Sequence, residues 1–163
     1  MKKIFYLLIP MLLAFGMASA QVIKAELQVA GLTCSMCSRA TDKQLRTLDF
    51  IDSVGIDLSH ASFMLYFKED KPVDFQQIQK KVEDAGFSVA SLKVAYRFDG
   101  VKAENGASFS YNNSKFLFIN TTPKVLSGVE TFSIIDKGFL SPKEFKKYAG
   151  QAVPIENTYH ITL

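Results

Sequence analysis

Hydrophobic residues in the first half of the chain recur with two periods. Where a strand is expected every second residue is apolar, and where a helix is expected apolar residues fall about three or four positions apart. Six segments follow one another as strand, helix, strand, strand, helix and strand: residues 24–29, 38–48, 54–58, 63–67, 74–86 and 87–94. This order is that of the split βαβ or ferredoxin-like plan. The pattern therefore predicts an α+β fold.

The second predicted helix has clear start and stop signals. Asp74 suits an N-cap, Gln77 stands three residues later, and Gly86 is placed to end the helix. One face of this helix is apolar, and it consists of Phe75, Ile78, Val82 and Ala85. The first helix is expected to begin at a pair of cysteines, because the residues just before its apolar face are Cys34 and Cys37.

The pattern changes near Tyr96, beyond which short apolar runs alternate with turn signals such as Asn105-Gly106. Strands are expected near residues 93–98, 109–111, 116–119, 125–135 and 158–163. A short helix is predicted from Ser141, with Pro142 at its first position. Five strands and one helix suit a small OB-like barrel. The predicted organisation is a leader at 1–20, a ferredoxin-like domain at 21–94 and a β-rich C-terminal domain at 95–163.

The first twenty residues have the three parts of a secretory signal peptide. Lys2 and Lys3 provide the charged start, residues 4–15 are apolar but too short to span a bilayer, and residues 18–20 read Ala-Ser-Ala, a cleavage pattern of small residues. Cleavage is expected after Ala20. The mature protein is then periplasmic or secreted and does not span the membrane.

Charge excludes one class of function. Without Lys2 and Lys3, 17 of the 19 basic residues remain against 16 acidic ones, so the mature chain is nearly neutral. Such a balance gives no electrostatic basis for binding nucleic acid. Hydrophobic residues make up 48% of the chain, which is enough for a folded core.

The chain has only two cysteines, Cys34 and Cys37, and they are expected to function beyond the membrane in an oxidising compartment. A disulfide between residues so close in sequence closes a tiny loop and restricts the unfolded chain little. The position between a strand and a helix places both sulfurs near a helix N-terminus, where the dipole favours the thiolate. The pair is therefore expected to have a chemical role.

Two thiolates suit a soft cation in low coordination, such as Cu(I) or Hg(II). Zn(II) is a weaker candidate because a structural zinc site normally takes four ligands, and the only histidines are His60 and His160. A lone histidine in a hairpin turn or a terminal strand is more often a surface or hydrogen-bonded residue than a ligand. Met36 lies between the cysteines and is expected to point to solvent or to a partner. The predicted metal ligands are Cys34 and Cys37.

Residues 23–94 resemble the heavy-metal-associated domain of copper chaperones, copper-pump N-terminal domains and periplasmic mercuric-ion-binding proteins. The motif of that family is Gly-Met-Thr-Cys-x-x-Cys, and residues 31–37 read Gly-Leu-Thr-Cys-Ser-Met-Cys. The resemblance implies that Cys34 and Cys37 bind the metal and that Phe87 packs beside the metal loop. Asp42 and Leu45 match residues further along the first helix.

This sequence departs from the family pattern at three positions. Leu32 replaces the usual methionine, a swap that nearly conserves volume, and Ser38 and Thr41 stand where apolar residues are common. The resemblance implies a carrier rather than an enzyme, one that passes its ion to a partner protein. Two alternatives stay open: a periplasmic thiol-disulfide oxidoreductase that uses the same pair, and a metal-responsive module whose C-terminal part binds a protein.

Overall fold

The computed structural model describes residues 21–163, and the predicted signal peptide lies outside the described residues. Within this range the chain forms eight strands and three helices. In chain order they are β1 (Val22–Ala30), α1 (Ser35–Leu45), β2 (Ile51–Asp57), β3 (Ser62–Phe67), α2 (Phe75–Asp84), β4 (Ser88–Ala103), β5 (Ser108–Tyr111), β6 (Ser114–Phe118), β7 (Lys124–Ile134), α3 (Pro142–Phe145) and β8 (Thr158–Thr162).

The strands form one sheet in the order β2-β3-β1-β4-β7-β8-β6-β5. The first four strands pair antiparallel, and α1 and α2 pack against each other and against this part of the sheet. The order of elements from β1 to β4 is strand, helix, strand, strand, helix, strand, which confirms the ferredoxin-like plan and the mixed α+β content.

Local sequence signals fix both ends of α2. The Asp74 carboxylate accepts hydrogen bonds from the backbone N–H groups of Gln76 and Gln77, at 2.9 and 3.2 Å. At the other end Gly86 has φ +88°, a left-handed conformation that favours glycine, and the Phe87 N–H donates to the Val82 carbonyl at 3.1 Å. The helix thus ends just before Gly86, as predicted, and Phe87 lies at one end of the sheet.

Strand β4 is longer than the pattern predicts. It runs for 16 residues and pairs with β1 along one edge and with β7 along the other, so the boundary expected after residue 94 falls inside it. The physical reason is that the alternation continues across the expected boundary. Leu92, Val94, Tyr96 and Phe98 are all buried.

The OB-like barrel expected of the C-terminal part is not confirmed, because β5 to β8 continue the sheet that the N-terminal part begins. This half of the sheet nevertheless coils strongly. The ring of Phe109 on β5 lies 4.9 Å from that of Tyr96 and 5.2 Å from that of Phe98 on β4, although β7, β8 and β6 separate β4 from β5 in the sheet.

Side chains of helix α2 pack into the cores of both halves of the structure, the ferredoxin-like half with β1 to β4 and the C-terminal half with β5 to β8. The Phe75 ring packs edge-on against those of Phe116 and Tyr159, at 6.0 and 5.8 Å, and the Tyr111 hydroxyl accepts from the Val73 N–H at 3.0 Å. The buried residues of both halves form a single hydrophobic cluster. Over residues 21–163, no helix is long and apolar enough to cross a lipid bilayer.

Candidate metal centre

The loop between β1 and α1 begins at a glycine that no other residue replaces easily. Gly31 has φ +87°, and a Cβ at this position would lie 3.6 Å from Cδ1 of Phe87. The end of α2, which carries Phe87, therefore lies directly beside the loop that carries the cysteines. Leu32 and Phe87 are partly buried and pack against the main core.

Cys34 is the N-cap of α1. Its backbone is extended, with φ −147° and ψ 157°, and its Sγ accepts a hydrogen bond from the Cys37 N–H at 3.3 Å. This cap lets α1 begin at Ser35, three residues before the apolar pattern starts. The thiol of Cys34 is thus held where the unpaired N–H groups of the helix converge.

The two sulfur atoms are 2.7 Å apart. A disulfide bond is about 2.05 Å long, so both cysteines are free thiols here. Cys34 is exposed, Cys37 is partly exposed, and Met36 between them is 70% exposed. The pair is therefore open to solvent and to a docking protein.

The pKa values of the two thiols are displaced in opposite directions. The hydrogen bond from the Cys37 thiol lowers the pKa of Cys34, and the backbone N–H groups of Cys37 and Met36 act in the same direction. The same sulfur–sulfur hydrogen bond raises the pKa of Cys37, because its proton is the one shared. Cys34 is the thiol that ionises first.

This geometry permits two kinds of chemistry. The sulfurs are close enough to be oxidised to a disulfide with a small displacement. A metal ion requires the opposite movement: with metal–sulfur bonds of about 2.3 Å, two thiolates on opposite sides of one ion are about 4.6 Å apart. Cys34 is the more exposed of the two, and its sulfur is held only by the capping contact and the bond to Cys37, so it is the residue that can move outward.

Two buried hydroxyl groups lie behind the cysteines on the inner face of α1. Thr41 Oγ1 donates to the Cys37 carbonyl at 3.3 Å, and Ser38 Oγ lies 3.5 Å from the Cys34 carbonyl. Both side chains are buried, with Thr41 fully inaccessible. The polar residues that depart from the family pattern are therefore accommodated by local bonds to the backbone, one turn back along the helix.

The two histidines are not near enough to the cysteines to form a cluster. Among residues 21–163, no group of three or more His, Cys, Asp or Glu side chains could hold a metal ion. His160 is buried, and Asp136 accepts from its Nδ1 at 2.6 Å and from its backbone N–H at 2.7 Å. His60 is exposed in the β2–β3 turn, where its Nδ1 lies 2.8 Å from Oδ2 of Asp57.

The two aspartates that hold the histidines, Asp57 and Asp136, are not among the predicted site residues. Asp57 could have been found, because Asp-x-x-His in a predicted turn is a local arrangement in which the side chain accepts from nearby N–H groups. Asp136 could not, since 24 residues separate it from His160 and only the pairing of β7 with β8 brings them together.

Known proteins are similar to the part of the chain that contains Cys34 and Cys37. Residues 26–88 match the family model for the heavy-metal-associated domain. The copper chaperone CopZ of Bacillus subtilis is 33% identical over 64 residues, which cover 39% of this chain and 91% of the chaperone. CopZ of Staphylococcus saprophyticus is 30% identical over 63 residues, with the same coverage of both chains.

Copper ATPases match over a similar region. A probable copper-exporting P-type ATPase of Archaeoglobus fulgidus is 29% identical over 68 residues, which are 42% of this chain. The match spans only 8% of that ATPase. A solved yeast copper transporter domain is 28% identical, covers 41% of this chain and 90% of its own, and has a TM-score of 0.37.

The matched residues contain the Gly31 loop, both cysteines, α1 and α2, whereas β5 to β8 lie outside them. Both chaperones are at least 30% identical and are covered over nearly their whole length. Through residues 26–88, this chain belongs to the heavy-metal-associated domain family.

Proposed function

We propose that the protein is an exported carrier of Cu(I), which holds one ion between the thiolates of Cys34 and Cys37 and passes it to a partner protein. The observation that carries this proposal is the pair of free thiols at the N-terminus of α1, with 2.7 Å between their sulfurs. Relatives that match this region almost completely are named copper chaperones. These relatives support metal binding and transfer in general.

Cu(I) is favoured over Zn(II) because two soft thiolates satisfy a soft ion in low coordination, whereas structural zinc takes four ligands. Hg(II) shares the preference for two thiolates. An ion with two ligands is under-coordinated, so a thiol of the partner can bind before either cysteine leaves. Transfer then proceeds through mixed-ligand intermediates and is fast even when equilibrium binding is tight.

The test is an anaerobic competition titration of the reduced mature chain with Cu(I) and a chelator. Cys34→Ser and Cys37→Ser are titrated beside it, and Ser35→Ala, which leaves both thiols in place, is the matched control. We expect the wild type and the control to retain one Cu(I) against the chelator and both serine variants to lose it. Equal retention by all four proteins contradicts the proposal.

A thiol-disulfide oxidoreductase is the second candidate, and the opposite displacement of the two thiol pKa values favours it. An oxidoreductase of this kind has to exchange disulfides with a substrate protein. We expect the reduced chain to reduce a scrambled or oxidised test protein no faster than free dithiothreitol at equal thiol concentration. Catalysis well above that rate assigns the pair to redox chemistry instead.

Export to the periplasm is part of the proposal and rests on the signal-like residues 1–20. Fractionation of the producing cells, followed by N-terminal sequencing, tests it. The proposal expects a periplasmic protein whose first residue is Gln21. Recovery of an uncleaved chain in the cytoplasm contradicts it.

A further inference from the structure

A polar pocket lies where the start of α2 meets the C-terminal half of the structure. Its volume is about 450 Å³, and small-molecule sites in proteins usually enclose about 300–1,000 Å³. Val73 and Asp74 form the wall on the side of α2, and the turn between β5 and β6 forms another wall with Asn112 and Asn113. Phe87 lies just beyond the opposite end of α2, which has 10 residues and is about 15 Å long. The pocket is therefore separate from the cysteine loop.

Two tyrosine hydroxyl groups line this pocket. The Tyr111 oxygen accepts from the Val73 N–H at 3.0 Å, so the hydrogen of its own hydroxyl is not used in that bond. Tyr159 is 8% exposed, and its ring stacks on that of Phe116 with 5.1 Å between the ring centres. Among residues 21–163, no side chain bonds to the Tyr159 hydroxyl, which lies near the backbone N–H of Gln76. The pocket thus contains two fixed hydroxyls with hydrogen-bonding capacity that a ligand can use.

The charges around the pocket disfavour an anionic ligand and offer little to a cationic one. No Lys or Arg is among the described residues that line it, whereas Asp74 and Glu156 are acidic. The Asp74 carboxylate already serves the helix cap, because it accepts from two backbone N–H groups and from the Gln77 side-chain amide. Glu156 is exposed, so water and salt screen its charge. Burial raises the pKa of the Tyr111 and Tyr159 phenols, so both donate as neutral groups. The inner part of the pocket therefore fits an uncharged molecule.

The other polar side chains of the pocket match the hydroxyl groups of a sugar. Asn112, Asn113 and Asn157 carry amide groups, each of which can donate and accept, and Glu156 adds acceptor oxygens. A hydroxyl group also donates and accepts, so a molecule with several hydroxyls can bond to phenols, amides and a carboxylate at once. We propose that this pocket binds a neutral sugar of the size of a mono- or disaccharide. Sugar binding is a second function of the chain, and it does not depend on the proposed copper site.

A first experiment titrates the mature chain with D-glucose, N-acetylglucosamine and maltose and follows the backbone amides by NMR. We expect at least one of these sugars to cause saturable shifts at residues 111–114 and 156–159, with the cysteine loop unchanged. Glucose 6-phosphate, which the two carboxylates repel, and ethylammonium chloride, which has no hydroxyl groups, should bind far more weakly than that sugar. Absence of saturable shifts with all three neutral sugars overturns the proposal. Equal or tighter binding of ethylammonium also overturns it, because the carboxylates alone then recognise the ligand.

A second experiment tests whether the buried hydroxyl contacts the sugar. Tyr159→Phe keeps the packed ring and removes only the hydroxyl, so we expect about fivefold weaker sugar binding, the effect of one neutral hydrogen bond. Tyr66→Phe is the matched control, because Tyr66 is 43% exposed on β3 and does not line the pocket. The control should bind the sugar as the wild type does. Equal binding by all three proteins overturns the proposed site.

Discussion

At the scale of single residues, Cys34 and Cys37 are chemically unequal although they share one loop. Cys34 caps α1 and accepts hydrogen bonds at its sulfur, so its pKa is lowered, while the pKa of Cys37 is raised by the same contact. A metal ion needs both as thiolates. Binding therefore releases protons. Affinity falls as the pH drops below the range in which Cys37 ionises, and it falls more steeply once the pH is also below the range in which Cys34 ionises.

The difference predicts which cysteine is alkylated first. Below the ordinary thiol pKa of about 8.5, Cys34 carries more of the thiolate, so iodoacetamide should label Cys34 before Cys37. As the pH rises, the labelling rates should converge, because Cys37 ionises last. Peptide mapping by mass spectrometry across a pH series measures both rates. Faster labelling of Cys37 at low pH contradicts the structure of the site.

The candidate ligands could be predicted at the residue scale because they form a local motif of known spacing. The buried hydroxyls are a different case. Ser38 and Thr41 stand where apolar residues are common in the family, yet both are buried and bonded to the carbonyls of Cys34 and Cys37. The sequence shows a polar residue but not the carbonyl one turn earlier that accepts from it.

At the scale of elements, α2 sets the position of Phe87 beside the cysteine loop through its two ends. Asp74→Ala removes the side chain that accepts from Gln76 and Gln77. We expect a loss of about 1 kcal/mol in the free energy of unfolding, measured by urea denaturation.

The control for this prediction is Asp70→Ala, an exposed aspartate in the turn that precedes the helix. It removes the same charge without removing the cap. A loss that is equal in the two variants indicates a charge effect and contradicts the capping role.

Helix α2, which has both a cap and a glycine stop, was predicted well, because those signals lie within a few residues of its ends. The far end of β4 was not predicted, although most other strands begin and end within two residues of their predicted bounds. The alternation in β4 does not stop at residue 94, and the sequence around it contains no feature that distinguishes the end of one strand from the middle of a longer one. Only the partner strand β7, far away in the chain, determines how far β4 extends.

At the scale of the whole molecule, the two halves share a sheet and a core. Phe75 is 1% exposed, and its ring contacts rings from β6 and β8. A mutation on α2 in the metal-binding half should therefore also destabilise the strands of the other half.

Phe75→Ala should lower the free energy of unfolding by about 3–5 kcal/mol. Native-state hydrogen exchange can follow β1 and β6 separately, and we expect the slowest amides of both strands to lose protection by the same amount. Leu126→Ala on β7 is a matched core deletion, since Leu126 is also fully buried. Loss of protection confined to β6, with β1 unchanged, contradicts a shared core.

The ferredoxin-like half could be predicted because the spacing of its apolar residues distinguishes strands from helices and so gives the order of its elements. The joining of the halves could not, since it depends on the pairing of β4 with β7 and on the parallel pairing of β6 with β8, and neither leaves a local signal. The cysteine loop therefore lies at one end of a sheet and a core that both halves share.

Copper K-edge X-ray absorption of the loaded mature chain identifies the atoms that hold the proposed Cu(I). We expect a first coordination shell of two sulfur atoms in the wild type and loss of that shell in Cys34→Ser and Cys37→Ser. A first shell dominated by nitrogen or oxygen, or a sulfur shell that survives both substitutions, contradicts the proposed coordination.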